Sequence, residues 1–119
     1  MKYHLRHSSN WLIRLGDGTK ESNLKVQGAL DFLWQYTGEL FEMDEIDNEI
    51  LALGIGVDNK ELKEKWNEIV NSTIEKAKLN RPEDGYMATG SRKGIHTEHL
   101  GFLLAEMQFL PRAYPDAKW

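Results

Sequence analysis

The side chains of this sequence that could do chemistry are concentrated in the nine residues from Arg92 to Leu100, which read RKGIHTEHL. Two cations, two histidines and a carboxylate lie together there. His96 and His99 are three residues apart, as are His4 and His7, so each pair could project from one side of a helix. Because imidazole nitrogens bind zinc and iron, a metal site is the first hypothesis to weigh against an anion site or a plain helix start.

The metal hypothesis requires a ligand pattern that the sequence lacks. A dinuclear metal centre in a helical bundle uses Glu-x-x-His on two helices and a Glu from each of two others. No Glu of this chain is followed by a His three residues later, and the run from His96 to His99 does not match His-Glu-x-x-His either. The chain has no cysteine, which excludes thiolate ligands. We therefore predict no catalytic residue, no metal site and no cofactor.

The basic part of the same stretch indicates anion binding. Arg92 and Lys93 lie between glycines just ahead of an expected helix start, where free N–H groups and the positive helix end favour phosphate or carboxylate. The alternative is a flexible basic loop that forms salt bridges with the acidic surface, and the local pattern by itself favours this alternative. Thr97 and Glu98 are predicted to be a helix-capping motif, since Thr97 can accept from an orphan N–H and Glu98 complements the helix end.

Apolar residues recur at helical spacing along nearly the whole chain, and no alternating strand pattern is present. The pattern predicts an all-α antiparallel bundle with one long irregular connection. The predicted helices cover residues 2–15; residues 20–42 with Thr19 as N-cap; a short helix from Asp44 that ends before Gly54; a helix opened by a capping box at Asp58 and ending near Leu79; and, after the irregular residues 80–96, a helix from near Thr97 that Pro111 and Pro115 end.

Composition limits the classes of partner. With 119 residues the chain is long enough for one modest core, and it has neither a membrane-spanning apolar run nor the pattern of a signal peptide, which predicts a cytoplasmic protein. A net charge of −4 argues against nucleic acid, because that affinity depends on many cations. Three long helices cannot cover one another's apolar faces, so part of that surface is expected to meet another chain.

Seven blocks of the sequence stand out: YHLR from Tyr3, WLIRLGDGT from Trp11, LW from Leu33, ELF from Glu39, DEID from Asp44, KGIHTEHLG from Lys93 and LAEMQ from Leu104. Together they resemble a known family, the PaaC-type subunits of bacterial phenylacetyl-CoA epoxidase, and the resemblance extends over the whole chain. It implies a ferritin-like helical subunit of a multicomponent monooxygenase in aerobic phenylacetate degradation. In that family the di-iron site lies in a PaaA-type partner, so the resemblance implies a non-catalytic subunit that scaffolds the catalytic one.

The family members are longer, and the chain resembles their C-terminal half. Residues 1–119 are therefore expected to form a single helical domain, the C-terminal part of a ferritin-like subunit, and half of such a core is expected to self-associate or swap domains. The expected partners are the catalytic ferritin-like subunit and the other epoxidase subunits. Arg92 and Lys93 are predicted to contact an acidic partner surface or the phosphates of a CoA thioester.

Two other functions stay open at this point. One is an independent metal-binding helical protein that uses His96, His99 and a carboxylate such as Glu106; metal analysis would separate it from a scaffold. The other is a plain helical interaction module, related by descent but without the family's function. Co-purification with a catalytic subunit would distinguish that module from an epoxidase subunit.

Overall fold

The computed structural model describes residues 1–118, and in that range it contains six α-helices and no β-strand. The predicted all-α class is therefore confirmed. No helix in this range is both long and apolar enough to cross a membrane. The helices are α1 (Lys2–Gly16), α2 (Lys20–Leu33), α3 (Glu45–Ala52), α4 (Asn59–Lys76), α5 (His99–Met107) and α6 (Phe109–Ala113), with 3₁₀ turns at Trp34–Tyr36, Gly38–Phe41 and Ser91–Lys93.

The chain forms two compact units. The first unit, Met1–Ala88, contains α1 to α4, and the second begins at Thr89 and contains α5 and α6. The prediction that all 119 residues form one domain stays a prediction. Within the first unit α1 packs against both α2 and α4.

Three helices of the first unit begin at capping residues. The side chain of Thr19 accepts a hydrogen bond from the Ser22 amide at 3.2 Å, as predicted for the N-cap of α2. Asp58 caps α4 through the Lys60 amide at 2.8 Å, but the capping box predicted there is found at α3 instead. In that box Asp44 accepts from the Asp47 amide at 2.9 Å, and Asp47 accepts from the Asp44 amide at 3.1 Å.

The second helix is shorter than predicted. It ends at Leu33 rather than continuing to residue 42, and two 3₁₀ turns follow it. The carbonyl of Gln35 accepts a hydrogen bond from the amide of Ala88 at 2.8 Å, and Gly38 lies against the side chain of Met87. A continued helix would need the Gln35 carbonyl for its own hydrogen bonds and the space beside Gly38, and residues 87 and 88 occupy both.

The core of the first unit is small. Its buried apolar residues are Trp34, Ile74, Ala77 and Leu79, and of these Ala77 is completely buried. Gly16, at the end of α1, lies directly against Ala77, since a Cβ on Gly16 would lie 2.4 Å from the Ala77 carbonyl oxygen. The absence of a side chain at Gly16 thus allows α1 to approach the end of α4.

The irregular residues 80–88 are bound to α2 and to the 3₁₀ turn that follows it. The side-chain amide of Gln27 donates to the Asn80 carbonyl at 2.9 Å and accepts from the Asn80 amide at 2.8 Å. The indole N–H of Trp34 donates to Asp84 at 2.9 Å, and the Arg81 guanidinium lies 4.9 Å from the Trp34 ring centroid. We call residues 80–88 the strap.

The last predicted helix is divided into two. The first part, α5, begins at His99 rather than Thr97, and the chain turns at Gln108 before α6. Pro111 lies inside α6 instead of ending it, because the first turn of a helix has no intrahelical partner for the N–H that proline lacks. The short α6 then ends at Ala113, ahead of Pro115.

Candidate functional site

The basic residues Arg92 and Lys93 lie on a tight turn between two glycines in left-handed conformations. Gly90 has φ of 101° and Gly94 has φ of 84°. The Gly90 carbonyl accepts from the Lys93 amide at 2.9 Å and from the Ile95 amide at 3.0 Å, which closes the turn. Both cationic residues are exposed. The turn is therefore a defined structure that presents two neighbouring positive charges to solvent.

The turn and the start of α5 are separate elements. Residues 95–98 lie between them outside any helix, so the cations do not directly precede the helix end. Glu98 occupies the N-cap position of α5, where no side-chain capping bond forms, and Thr97 accepts from the Leu100 amide through its backbone carbonyl. The predicted side-chain cap by Thr97 and Glu98 is thus replaced by a backbone turn, because Glu98 already has helical dihedral angles.

The four histidines do not form a ligand cluster in the described part of the chain. His4, His7, His96 and His99 are all exposed, and no group of three or more His, Asp or Glu residues among residues 1–118 is arranged to hold a metal ion. His96, His99 and Glu106, which the metal-binding alternative requires, are therefore not brought together as a ligand set. The prediction that the chain carries no metal or cofactor stays a prediction.

The first unit contains an open apolar depression of about 370 Å³ between α1, α2 and α4, which we call the groove. Leu33 is 55% exposed there and Leu5 is 49% exposed, so apolar surface is left open to solvent. The groove is lined by Leu5, Ser8, Ser9 and Leu12 of α1, by Leu30, Leu33, Trp34 and Thr37, and by Trp66, Ile69, Val70, Thr73 and Ile74 of α4.

The helical spacing of the apolar residues predicted apolar helix faces but did not place these residues in one site. A stripe shows that a helix has an apolar face, whereas a groove depends on which faces of three helices converge. The aromatic rings illustrate this limit: Trp34 is buried, Trp66 packs on it with ring centroids 5.7 Å apart, and Trp11 is 47% exposed on another face. The sequence did contain one sign of the groove, since its three long helices have more apolar surface than they can cover among themselves.

These features define the class of the protein as an all-α helical bundle whose helices leave an apolar groove uncovered. Comparison with known proteins then shows the family. The chain belongs to the phenylacetic acid catabolic protein family, PaaA/PaaC, whose sequence profile matches residues 1–119. The resemblance found in the sequence is thus confirmed, and the fold is ferritin-like.

A curated relative shows how far the similarity extends. The chain is 48% identical over 118 residues to the C subunit of 1,2-phenylacetyl-CoA epoxidase from Escherichia coli (strain K12). The aligned region covers 99% of this chain and 48% of that relative. The chain therefore spans about half the length of the curated relative that it matches.

Proposed function

We propose that this chain is part of the structural subunit of a phenylacetyl-CoA epoxidase and holds the catalytic ferritin-like subunit without performing chemistry itself. It corresponds to the C-terminal part of such a subunit, forms one helical domain there and acts in the cytoplasm. The observation that carries the proposal is the 48% identity, over 99% of the chain, with the C subunit of an epoxidase.

The groove supports a role in assembly. Soluble monomers rarely leave large apolar patches uncovered, and such patches often mark contacts with other helices or chains. The groove lies between α1, α2 and α4, and most of the residues that line it are aliphatic or aromatic. In the absence of its partner, the chain is therefore expected to self-associate through this surface.

Arg92 and Lys93 are proposed to contact an acidic surface of the partner subunit or the phosphates of a CoA thioester. The glycine-bounded turn fixes the backbone between them, which lowers the entropy lost when their side chains bind an anion. Arg92 already has an interaction within the chain, so an anion would share or displace that contact. Lys93, exposed beside it, adds a second positive charge.

Co-expression of the chain with a catalytic epoxidase subunit tests the proposal. We expect the two proteins to co-purify, and we expect Arg92→Ala with Lys93→Ala to weaken assembly or turnover by roughly tenfold, the loss of one to two partly exposed charge contacts. The matched control is Lys60→Ala with Lys65→Ala, which removes two exposed cations from α4. Binding of CoA alone to the isolated chain distinguishes a phosphate contact from a protein contact.

Each result of this experiment has a defined meaning. Failure of the unaltered chain to co-purify would refute the scaffolding role. Unchanged assembly, turnover and CoA binding in the Arg92 and Lys93 variant would remove that turn from the proposal but leave the scaffold. Stoichiometric metal in the isolated chain would instead favour the metal-binding alternative.

A further inference from the structure

A second face of α1 points away from the groove. The cavity on this face, about 250 Å³ and open, is lined by Tyr3, Arg6, His7, Asn10, Trp11 and Arg14. At about 100° per residue these positions lie on the side of the helix opposite the groove-lining Leu5 and Leu12. We call this set of six residues the outer face of α1.

Large rings on the outer face are exposed but ordered against one another. Tyr3 is 61% exposed and Trp11 is 47% exposed. The ring of His7 stacks on Tyr3 with centroids 5.8 Å apart and meets Trp11 edge-on at 6.4 Å. A spacing of four residues thus places the rings of Tyr3, His7 and Trp11 in a row along the helix.

Both arginines of the outer face are held over these rings. The Arg6 guanidinium carbon lies 5.9 Å from the Tyr3 ring centroid, and that of Arg14 lies 5.3 Å from the Trp11 centroid. Among the described residues neither arginine forms an ion pair. A guanidinium that stacks on a ring keeps its N–H groups at the edge, where they can bind a carboxylate in a bidentate way.

Charge on α1 differs from that of the rest of the molecule. The helix contains Lys2, Arg6 and Arg14 and no carboxylate, although the whole chain has 19 acidic and 15 basic residues and a net charge of −4. Trp, Tyr and Arg are also the residues enriched at the energetic centres of protein interfaces. Positive charge and interface composition therefore coincide on one exposed helix face.

The geometry favours a helix over a nucleotide as the ligand. Arg6 and Arg14 already lie against the rings of Tyr3 and Trp11, so these rings are not free platforms for a base. Tyr3, His7, Asn10 and Arg14 follow the 4-3-4 spacing by which one helix packs along another. Arg6 and Arg14 are eight residues apart, about 12 Å along the helix axis.

We propose that the outer face of α1 docks an acidic amphipathic helix of the catalytic partner subunit, with carboxylates two turns apart opposite Arg6 and Arg14. This inference rests on the proposed function, because it names the partner's surface chemistry. The rings supply apolar contact area between the two charge contacts, and the guanidinium groups fix the register of the bound helix.

Charge reversal tests the inference. Arg6→Glu with Arg14→Glu should weaken binding of the catalytic subunit by roughly 100-fold or more, since each reversal replaces an attraction by a repulsion. Lys60→Glu with Lys65→Glu, the same charge change on exposed positions of α4, should leave binding within about twofold. Arg6→Lys with Arg14→Lys keeps the charge but removes the planar guanidinium, and should weaken binding of the catalytic subunit by an intermediate factor of about ten.

A synthetic helical peptide provides a second readout that does not depend on the catalytic subunit. The peptide carries Glu at two positions eight residues apart, and its control carries Gln there. Binding of the Glu peptide to the unaltered chain, with no binding to the Arg6→Glu and Arg14→Glu variant, supports the inference. Circular dichroism of each variant checks that the helices are intact.

The outcomes separate the two proposals. If the catalytic subunit binds the unaltered chain and the charge-reversed chain equally, the inference is overturned and the proposed function stands. If the catalytic subunit binds neither but the Glu peptide binds as expected, the proposed function fails and the acidic-helix chemistry of the outer face stands. Equal binding of the Glu and Gln peptides overturns the inference.

Discussion

Replacement of Gly16 by alanine should destabilise the first unit even though alanine is the better helix former. The added Cβ would lie 2.4 Å from the carbonyl oxygen of Ala77 and 2.9 Å from its Cβ. Both helices would have to separate, because the nearest atom belongs to the backbone and cannot rotate away. Overpacking of this kind typically costs about 1–3 kcal/mol of folding free energy.

Neighbouring hydrogen bonds increase the expected loss. The side-chain amide of Asn23 donates to the Gly16 carbonyl at 2.7 Å and to the Lys78 carbonyl at 3.2 Å. A shift of α1 away from Ala77 would stretch this bridge, and a typical hydrogen bond contributes about 0.5–1.5 kcal/mol. We therefore expect Gly16→Ala to lower the free energy of unfolding by roughly 1.5–4.5 kcal/mol in total.

Gly28→Ala is the matched control. Gly28 lies in α2, and a Cβ added there meets no atom within 4 Å. This substitution should raise the free energy of unfolding by about 0.5–1 kcal/mol through helix propensity alone. Urea denaturation followed by far-ultraviolet circular dichroism measures both variants. Equal stabilisation by the two substitutions would refute the close approach of α1 to Ala77.

Two further substitutions test the strap and the groove. Asp84→Ala should lower the free energy of unfolding by about 1–2 kcal/mol, because it leaves the indole N–H of the buried Trp34 without its acceptor. Asp84→Asn retains an acceptor oxygen and should recover most of that loss, as measured by urea denaturation. Sedimentation velocity should show the isolated chain as a dimer or larger species, and Leu33→Gln in the groove should shift it towards monomer. A monomer at all concentrations would contradict self-association.

Local rules gave the helices of the first unit and most of their starting residues. Thr19 and Asp58 act through short side-chain bonds to amides two or three residues on, which are visible in any sequence window. The predicted end of α2 was wrong because the contact that ends the helix comes from a distant part of the chain. The amide of Ala88, more than fifty residues away, binds the Gln35 carbonyl. A periodic pattern cannot reveal a bond to such a distant segment.

The candidate sites were predictable to different degrees. Arg92 and Lys93 could be found because glycines on both sides mark a turn, although the separation of that turn from α5 depends on backbone angles that residue types do not fix. The outer face of α1 was missed because apolar periodicity alone does not separate Trp11 from the groove-lining Leu5 and Leu12. The type of residue indicates that an aromatic ring will pack against something, but not whether that contact lies within the chain or on an exposed face of the helix.

The strap has a consequence for how freely this sequence can vary. Asn80 is bound through its backbone amide and carbonyl and Ala88 through its backbone amide, and every residue except proline provides both groups. Gln27 and Trp34, by contrast, act through side-chain groups that few residue types could replace. The path of the irregular segment is thus encoded partly in α2 and in the 3₁₀ turn after it, and substitutions at Asn80 or Ala88 should be tolerated where substitutions at Gln27 are not.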